Sequence, residues 1–354
     1  MTYSIALLAG DGIGPEILAS TQCVLDQACK AQGIALAYKN IEIGFNALAA
    51  TGSTFPDSVP EALEDCNGII LGPVSHNAYP PRTQGGLNPS GELRKTLDLY
   101  ANIRPARSRA GIPPRANRPL DLVIVRENTE GFYADRNMAS GPAEHMVTED
   151  VAIALRRITR DACMRIARQA FALADQRRKR VTAVHKANVM RMTCGLFLEC
   201  CRAVAADYPD VEYEEQLVDA MCALLVRAPE AYDVIVTTNM FGDILSDLAS
   251  ELSGSLGLAA SLNAGTDKAM AQAQHGSAPD LAGLDVANPS ALIGSSAMLM
   301  DWMASRHDDP RLHAIAANIN NALEKVLTDP AKRTKDLGGP LGTRAFTHAV
   351  LAAL

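Results

Sequence analysis

Two aspartates four residues apart follow a short apolar run in this chain. Asp243 and Asp247 lie in Asn239–Leu248, directly after the strand-like segment Asp233–Thr237. In a helix, that spacing places both carboxylates on one face, one turn apart, with Ile244 on the opposite arc. The carboxylates would repel each other unless a cation lay between them, and Mg²⁺ or Mn²⁺ prefers such oxygen ligands. The pattern indicates a divalent metal site, with a solvated helix face as the alternative interpretation.

Three arginines lie beside other chemistry-bearing segments. Arg94 and Arg104 are ten residues apart, and Arg126 directly follows the apolar run Leu122–Val125. The planar guanidinium group binds carboxylates in a bidentate manner. Converging arginines would therefore indicate a substrate with two or three carboxylates, whereas surface salt bridging is the alternative for each arginine taken alone.

Lys186 and Tyr133 are candidates for proton transfer. Lys186 follows the apolar run Val181–His185. Partial burial at such a strand end would lower the pKa of its ammonium group and suit it to act as a base. Tyr133 ends the segment Glu127–Tyr133 and is a candidate proton donor. A half-buried core tyrosine is the alternative interpretation of Tyr133.

Two glycine-rich segments could approach a cofactor. Gly10–Glu16 departs from the GxGxxG pattern because its third glycine comes too early and Pro15 opens the next helix. We therefore predict a tight strand-to-helix turn there. The run from His275 to Pro289 is a predicted loop whose backbone N–H groups suit phosphate or ribose hydroxyls. His275 could be a ligand or a base, and its spacing alone does not choose between them.

The composition is that of an ordered globular protein. Of 354 residues, 48% are hydrophobic, and the formal net charge of −7 disfavours a nucleic-acid partner. The eight cysteines include no CxxC pair, so neither a zinc site nor a disulfide framework is expected. The sequence has no run of 18 apolar residues, and its N-terminus is typical of a first strand. These features predict a cytoplasmic protein with no membrane partner.

Short β-branched runs alternate with longer helical patterns, which is typical of α/β architecture with strands buried on both faces. The predicted strands are Ser4–Leu8, Gly68–Leu71, Leu122–Val125, Val181–His185 and Asp233–Thr237. The predicted helices are Pro15–Lys30, Val151–Ala174, Thr193–Ala206 and Met240–Leu252. The chain exceeds the length that one hydrophobic core usually supports, so two domains are expected. The polar segment Asp135–His145 breaks both periods and is interpreted as a loop or an excursion to a partner subunit.

Together these segments resemble the β-decarboxylating dehydrogenases, the family of isocitrate, homoisocitrate, 3-isopropylmalate and tartrate/D-malate dehydrogenases. The resemblance runs from GDGIGPE at Gly10 to DLGG ending at Gly339, nearly the whole chain. The family's motifs occur in the family's order: LRK, NIRP, RENTEGFY, HKANVMR, LVDAM, FGDILSDL, and HGSAPDLAG followed by ANP. RENTEGFY and HKANVMRMT look closest to the isocitrate and homoisocitrate branches.

The resemblance implies a two-domain isopropylmalate dehydrogenase-like fold with a mixed, largely parallel sheet that is not a true Rossmann domain. Residues 1–99 and 255–354 would form a discontinuous cofactor-binding domain. Residues 100–254 would form a dimerisation domain that also carries the metal and substrate site. The implied assembly is a homodimer with active sites shared between subunits, or a higher even oligomer.

The resemblance also implies a role for each matching residue. The carboxylates of a malate-type substrate would be bound by Arg94, Arg104 and Arg126. Mg²⁺ or Mn²⁺ would be held by Asp243, Asp247 and, from a neighbouring subunit, Asp219. Lys186, also from the neighbour, would deprotonate the 2-hydroxyl, and Tyr133 would protonate the enolate after CO₂ leaves. The metal would stabilise both the β-keto acid and the enolate.

The family's adenosine-binding loop implies NAD as the cofactor. Its positions match His275, Gly276, Ser277, Ala278, Asp280 and Asn288, and Asn188 is a further candidate cofactor contact. Asp280 would accept hydrogen bonds from both adenosine ribose hydroxyls and would repel a 2′-phosphate. NADP-linked relatives carry Lys-Tyr where this chain has Asp280 and Leu281.

Substrate selection in this family depends on the residues before the first arginine. Isopropylmalate enzymes carry leucine at the positions of Ser90 and Gly91, where this chain offers a hydroxyl and no side chain. Asn88 and Ser90 are candidate substrate contacts, and Glu92 is interpreted as a capping residue of the helix after Ser90. The implied reaction is NAD-dependent oxidative decarboxylation of a polar 3-substituted malate. Isocitrate or homoisocitrate comes first, and D-malate or tartrate comes next.

Three alternatives stay open at this point. Within the family, the alternative is 3-isopropylmalate dehydrogenase of leucine biosynthesis. A non-catalytic regulatory subunit of a hetero-oligomeric dehydrogenase is the alternative of another class. It is disfavoured because the catalytic and metal positions are all occupied by Tyr133, Lys186, Asp219, Asp243 and Asp247. A metal-free hydroxy-acid dehydrogenase without decarboxylation is the third.

Overall fold

The computed structural model describes residues 2–116, 118–133, 138, 141 and 143–354. The strands, in chain order, are β1 (Thr2–Leu8), β2 (Ala35–Asn40), β3 (Gly68–Leu71), β4 (Ala101–Arg107), β5 (Asp121–Glu127), β6 (Glu144–Thr148), β7 (Val151–Ala154), β8 (Arg180–His185), β9 (Glu212–Leu217), β10 (Val234–Thr237), β11 (Leu262–Ala264) and β12 (Ala269–Gln272). The helices are α1 (Gly14–Ala31), α2 (Gly44–Thr51), α3 (Ser58–Leu63), α4 (Pro89–Thr96), α5 (Arg160–Asp175), α6 (Arg191–Ala205), α7 (Val218–Arg227), α8 (Asn239–Ser253), α9 (Ser290–His307), α10 (Pro310–Thr328) and α11 (Thr343–Leu351). All five predicted strands are confirmed.

The chain divides into two compact units. The first unit contains Met1–Leu97, Arg109–Pro113 and Gly254–Leu354. The second contains Asp98–Ser108 and Pro114–Ser253. The chain therefore passes between the units more than once, and residues distant in sequence are joined in the same unit.

Five strands of the first unit pair in the order β2-β1-β3-β12-β11. β1 runs parallel to β2 and β3, and β12 runs parallel to β3. β11 alone is antiparallel to its neighbour β12, to which it is joined by a short turn. Helix α9 packs on β12 and β3, and α1 packs on α9, α10 and α11. The carboxyl ends of the parallel strands lead into the loops that carry the sequence motifs of this unit.

Five strands of the second unit pair in the order β4-β5-β10-β8-β9. β5, β10, β8 and β9 are parallel, whereas β4 is antiparallel to β5. Each unit thus contributes parallel strands and one antiparallel pairing. The predicted α/β class with a mixed, largely parallel sheet is confirmed.

Successive residues of β5 are apolar, and both faces of this strand are covered by helices. Val123 and Val125 pack with α5 and α6 in a cluster that contains the fully buried Phe171. Leu122 and Ile124 pack with α7 and α8 on the other side. Full burial of an aliphatic side chain contributes about 1.5–3 kcal/mol, so these two clusters hold the strand ends in place beneath the site.

The predicted helix over Val151–Ala174 is wrong in its first part. Val151–Ala154 is strand β7, paired antiparallel with β6, and helix α5 begins only at Arg160. Thr159 is the N-cap of α5, since its side chain accepts a hydrogen bond from the N–H of Ala162. Every residue of β6 and β7 is exposed, so backbone pairing between the two strands, not burial, accounts for the strand conformation there. The interpretation of Asp135–His145 falls mostly outside the described residues.

Helix α8 follows β10 directly, as the sequence predicted. Leu245, Ala249 and Leu252 are buried and fix the inner face of the helix. Ile244, which was expected on that face, is exposed. Its neighbour Asp243 faces the arginines of the site, and the angle of about 100° per residue turns Ile244 away from the sheet.

All eight cysteines are free thiols, and six of them are buried. Among the described residues, no helix is long and apolar enough to cross a membrane.

Candidate active site

Arg104 and Arg126 converge on α8 in the second unit. Arg104 comes from β4 and Arg126 from the neighbouring strand β5, and both side chains are buried. The Arg104 Nη1 lies 3.2 Å from Asp243 Oδ1 and 3.6 Å from Asp247 Oδ1. Arg126 Nη1 also donates to Asp243 Oδ1. Two of the three sequence-predicted arginines, Arg104 and Arg126, therefore form one cluster with the aspartate pair, whereas Arg94 lies in the first unit.

The positive charges of the arginines and the negative charges of the aspartates compensate one another where the cluster is partly shielded from solvent. Burial and the nearby Arg126 lower the pKa of Arg104 to about 10, against the opposing effect of Asp243 and Asp247. Burial raises the pKa of the Asp247 carboxyl above its usual value, and Arg104 opposes that shift. Two guanidinium groups held this way can bind a multiply charged carboxylate substrate.

Two polar residues that were given no role from the sequence hold the arginines in place. Asn239 Oδ1 accepts hydrogen bonds from Arg126 Nε at 2.9 Å and from Nη2 at 2.6 Å. Ser246 Oγ accepts one from Arg104 Nη1 at 2.7 Å. Both residues lie in the same segment as Asp243, so their helical spacing from it was the available indication.

Gly242 lets α8 approach Arg126. A Cβ atom at position 242 would lie 2.6 Å from Arg126 Cγ and 2.7 Å from Arg126 Cβ. Carbon atoms do not approach so closely without displacement. The glycine is therefore required by the close approach of the helix to the base of the Arg126 side chain.

We expect Gly242→Ala to lower the free energy of unfolding by about 1–3 kcal/mol, because either α8 or Arg126 must move. Gly195 is the matched control, since it lies inside helix α6 and a Cβ there meets no atom of the described residues within 4 Å. Gly195→Ala should be neutral or stabilising by about 0.5–1 kcal/mol through helix propensity. Urea denaturation measures both, and equal responses at the two glycines would contradict the close-contact argument.

Tyr133 lies beside this cluster on the loop that follows β5. Its hydroxyl donates to Asp243 Oδ2 at 3.3 Å, and the Arg126 guanidinium carbon is 5.7 Å from its ring centroid. The loop is held by the buried carboxylate of Glu127, which accepts hydrogen bonds from the N–H of Thr129 and of Glu130. The described structure thus brings Tyr133 together with the arginines and Asp243.

Lys186 and Asp219 form a separate pair in the same unit. Lys186 follows β8, Asp219 lies in the first turn of α7 after β9, and the Lys186 Nζ is 2.5 Å from Asp219 Oδ1. The hydrogen bond from Lys186 lowers the pKa of the Asp219 carboxyl. Asn188 is exposed in the turn after Lys186. Lys186 and Asp219 are thus brought together, as residues that would serve one site should be.

The donor chemistry around Asp243 fits a hard divalent cation. The side chain of Asp243 is 38% exposed and that of Asp247 is 58% exposed, so carboxylate oxygens remain open to solvent on one face of α8. Such ions accept a small number of carboxylates and keep water ligands. Within the described part of this single chain, no three His, Cys, Asp or Glu side chains form a metal-binding group. A set of three protein ligands would therefore need a further side chain beside Asp243 and Asp247.

In the first unit, Ser90 and Arg94 on α4 share a partner. The Ser90 hydroxyl donates to Gln272 Oε1 at 3.0 Å, and Arg94 Nη2 donates to the same oxygen at 3.2 Å. Gln272, at the end of β12, had no role in the sequence-based prediction, because it belongs to no recognised motif. The pair of α4 residues is therefore oriented by a buried amide.

The expected cap of α4 is corrected by the structure. Asn88, not Glu92, is the N-cap, and its Oδ1 accepts a hydrogen bond from the N–H of Gly91 at 3.3 Å. Glu92 pairs instead with Arg82 at 3.3 Å. Asn88 precedes Pro89, whose fixed φ suits the first helical position, so its short side chain satisfies the orphan N–H group.

The predicted cofactor loop is held against the first strand-to-helix turn. The N–H of Ile13 donates to the carbonyl of Ser277 at 2.9 Å, and a Cβ at Gly12 would lie 2.0 Å from that carbonyl oxygen. Ala278 has a left-handed backbone with φ of 37°. The predicted tight turn at Gly10–Glu16 is confirmed, and it packs on the loop that begins at His275.

Polar groups in this loop fit an adenosine moiety. Burial lowers the pKa of His275, whose Nδ1 lies 3.0 Å from the carbonyl oxygen of Gly276. The buried His275 Nε2 has no hydrogen-bond partner among the described residues. Asp280 is exposed, and Asn288 donates to Asp336 Oδ2 at 3.0 Å. An orphaned imidazole nitrogen and an exposed carboxylate match the needs of an adenine ring and ribose hydroxyls.

Comparisons with known proteins agree with this geometry. A family model described as isocitrate/isopropylmalate dehydrogenase matches residues 4–350. The isocitrate/homoisocitrate dehydrogenase of Thermus thermophilus is 42% identical over 356 residues, covering 100% of this chain and 99% of that protein. The 3-isopropylmalate dehydrogenase of Sulfurisphaera tokodaii is 41% identical over 96% of this chain and 95% of that protein. The crystal structure of isocitrate dehydrogenase from Methylococcus capsulatus has a TM-score of 0.87 at 38% identity and covers 99% of both chains.

The fold and the family match define an enzyme, a decarboxylating dehydrogenase of hydroxy acids. The chain belongs to the isocitrate/isopropylmalate dehydrogenase family, so the resemblance predicted from its motifs is confirmed. Relatives named for isopropylmalate and for isocitrate or homoisocitrate match at nearly the same identity. The choice of substrate therefore has to be argued from the residues of this chain.

Proposed function

We propose that this enzyme catalyses the NAD-dependent oxidative decarboxylation of a polar 3-substituted malate, with isocitrate or homoisocitrate as the leading substrates and D-malate or tartrate next. The convergence of two buried guanidinium groups, Arg104 and Arg126, on Asp243 carries this proposal. Buried arginines at that spacing suit a small polycarboxylate, and the adjacent tyrosine hydroxyl suits proton transfer.

The residues of α4 favour a polar substituent over an isopropyl group. Ser90 is buried and bonded to Gln272, and the same amide oxygen is shared with Arg94. An isopropyl group would meet these polar atoms where isopropylmalate enzymes supply leucine, so its burial would be less favourable. Gly91 adds no apolar side chain beside Ser90. Isopropylmalate is accordingly the weaker candidate within the family.

The proposed mechanism assigns proton transfers to two residues of the chain. Lys186, as a neutral amine, accepts the proton of the substrate 2-hydroxyl, and the carboxylate of Asp219 lies beside its nitrogen. Tyr133 donates a proton to the substrate carbon that loses CO₂. When bound, NAD supplies the hydride acceptor, and Mg²⁺ or Mn²⁺ supplies the positive charge that favours both oxidation and decarboxylation. Asp243 and Asp247 would hold the metal together with Asp219 of the partner subunit, and Asp280 would bind the ribose of NAD.

A homodimer is part of the proposal, with Lys186 and Asp219 serving the partner's site. The exposed hairpin of β6 and β7 carries apolar side chains that a single chain leaves in water: Met146, Val147, Val151, Ile153 and Leu155. Such a patch is typical of a subunit interface. We also propose that the first unit binds the cofactor, that the second forms the dimer, and that the protein acts in the cytoplasm.

Mixing two inactive variants tests the shared site. Lys186→Met and Tyr133→Phe each damage both sites of their own homodimer. A mixed dimer would contain one site with both native residues. Random reassociation after mild dissociation should therefore restore about a quarter of the wild-type activity, since half of the dimers are mixed and one site in each is complete. Recovery of no activity, with mixed dimers verified by native mass spectrometry, would place both residues in the same subunit's site.

A substrate and cofactor panel tests the function itself. The purified enzyme with Mn²⁺ should reduce NAD in the presence of isocitrate or homoisocitrate at least about tenfold better than with 3-isopropylmalate. D-malate, tartrate and NADP complete the panel. Preference for isopropylmalate would support the leucine-biosynthetic alternative. Failure with every acid, together with stimulation of a partner enzyme, would support a regulatory subunit.

Chelation separates the metal-dependent mechanism from a metal-free dehydrogenase. Exhaustive treatment with EDTA should abolish turnover, and Mn²⁺ should restore it. Asp243→Asn should also weaken Mn²⁺ binding measured by calorimetry by at least tenfold, because one charged oxygen ligand is lost. Asp267→Asn, at an exposed ion pair with Arg306, is the control. Full activity after chelation would remove the metal from the mechanism.

A further inference from the structure

Arg156 occupies the short connection between strand β7 and helix α5, and its guanidinium group points to several other elements of the second unit. Its Nη1 lies 2.6 Å from the hydroxyl oxygen of Thr193 and 3.3 Å from Cys194 Sγ. Its Nη2 donates to the hydroxyl of Thr238 at 2.9 Å. Thr193 and Cys194 lie at the beginning of α6, and Thr238 connects β10 to α8. One side chain thus joins two helix N-termini.

The face of the same guanidinium group contacts two aromatic rings. Its central carbon lies 5.8 Å from the ring centroid of Phe132 and 5.6 Å from that of Phe241. Phe132 is the residue before Tyr133, and Phe241 lies two residues before Asp243. A cation over aromatic faces contributes about 0.5–2 kcal/mol, depending on its desolvation. Arg156 therefore contacts the neighbours of both residues proposed to act on substrate and metal.

The contact with Cys194 extends to Lys186. The Cys194 sulfur also accepts a hydrogen bond from the N–H of Lys186 at 3.4 Å. The N–H of Met190 donates to the carbonyl of Lys186 at 2.8 Å, which closes the turn between β8 and α6. Arg156 is thus connected through Cys194 to the turn that carries Lys186, and it also contacts the Tyr133 loop and the beginning of α8.

The partners of Arg156 indicate a geometric role. Within the described residues, Arg156 forms no ion pair, and its acceptors are hydroxyl and sulfur atoms. The planar fork of an arginine can bond several acceptors at once in fixed directions, which a lysine cannot do. A side chain used only for its charge would be expected to face a carboxylate.

We infer that Arg156 is a positioning residue that holds the Tyr133 loop, the start of α8 and the Lys186 turn in their mutual geometry. The inference rests on the proposed function, in which Tyr133 serves the subunit's own site and Lys186 serves the partner's. Arg156 therefore links the two sites of a dimer through one guanidinium group. It also lies two residues after the exposed hairpin, so the same segment connects the proposed interface to both sites.

The test compares Arg156→Met and Arg156→Lys with the wild-type enzyme. Arg168→Met, which removes an exposed arginine on α5, is the matched control. We expect Arg156→Met to lower kcat by about tenfold to a hundredfold while the KM for the hydroxy acid changes less than about twofold, because misplacement of reacting groups by about 1 Å has effects of this size. Arg156→Lys should recover little of the loss, since one ammonium group cannot span the same acceptors. Arg168→Met should leave kcat unchanged.

Hydrogen exchange supplies a readout that does not depend on activity. Amide protection in Arg156→Met should fall together in three segments: 129–133, 186–194 and 238–243. A kcat within about twofold of the wild type, or unchanged protection in these segments, would overturn the inference. A wild-type enzyme without activity on any malate homologue would instead contradict the proposed function, and hydrogen exchange would still decide whether Arg156 holds the three segments. If Arg156→Met does not fold, Arg156→Lys carries both measurements.

Discussion

Replacement of Lys186 by methionine should lower kcat by about 10²–10⁴, the usual contribution of a positioned acid or base. Methionine keeps most of the length and the apolar stem of the side chain but removes the terminal amine that contacts Asp219. Substrate affinity should change little, because the buried arginines remain. Steady-state kinetics with the best substrate of the panel gives both values. Lys39→Met, at an exposed position of β2, is the control and should retain full activity.

Tyr133→Phe should lower kcat by a factor of the same order, but it should slow a step that follows oxidation of the substrate. The phenylalanine preserves the ring beside Arg126 and removes only the hydroxyl that contacts Asp243. If Tyr133 acts after oxidation, rapid mixing should still produce a burst of about one NADH per site before slow turnover. Lys186→Met should give no burst, because proton removal accompanies oxidation. Near-wild-type turnover in either variant would remove its assigned role, and loss of the burst in Tyr133→Phe would move that residue to the oxidation step.

Substitution of Asp280 by lysine together with Leu281 by tyrosine should shift the ratio of kcat/KM for NADP over NAD upward by about 10²–10³. A carboxylate opposes a 2′-phosphate, whereas an ammonium group attracts it, and each charge contributes about 1–4 kcal/mol near a protein surface. Both positions are exposed, so the fold should tolerate the change. The measurement is initial-rate kinetics with each cofactor at saturating acid substrate.

Leu284→Tyr is the control for this cofactor switch. Leu284 is exposed in the same loop but is not among the residues proposed to bind the ribose. It should leave the preference for NAD unchanged. A double variant that still prefers NAD would show that residues other than Asp280 select the cofactor. Equal use of both cofactors by the wild type would contradict the role of Asp280 directly.

Much of the site could be predicted because its residues lie at the ends of apolar strands. Arg126 lies near the end of β5, Lys186 follows β8, and the segment with Asp243 follows β10. Residues at the carboxyl ends of adjacent parallel strands share one edge of a sheet. The local pattern identifies both the strand and the polar residue after it. These positions therefore needed no knowledge of the distant contacts.

The supporting contacts could not be predicted, because they join side chains distant in sequence. Gln272 meets Ser90 and Arg94 across more than 170 positions, and no local pattern gives that pairing. The helical pattern at Val151–Ala154 failed for a different reason, since backbone pairing with the neighbouring strand β6 determines its conformation. Arg156 shows no motif at all. Its importance depends on which elements lie within reach of its guanidinium group.

The sequence by itself determined the class of enzyme and the paired aspartates at helical spacing, and it supplied the acidic residue that we propose selects NAD. Spacing along one helix and the chemistry of a side chain are local properties, so they can be read without the fold. Only the tertiary structure decided that Arg104 and Arg126 meet Asp243, and that Lys186 meets Asp219 instead. Those pairings depend on strand order, which decides the residues that become neighbours, and on burial. A charged group that is removed from water is costly unless an oppositely charged partner lies beside it.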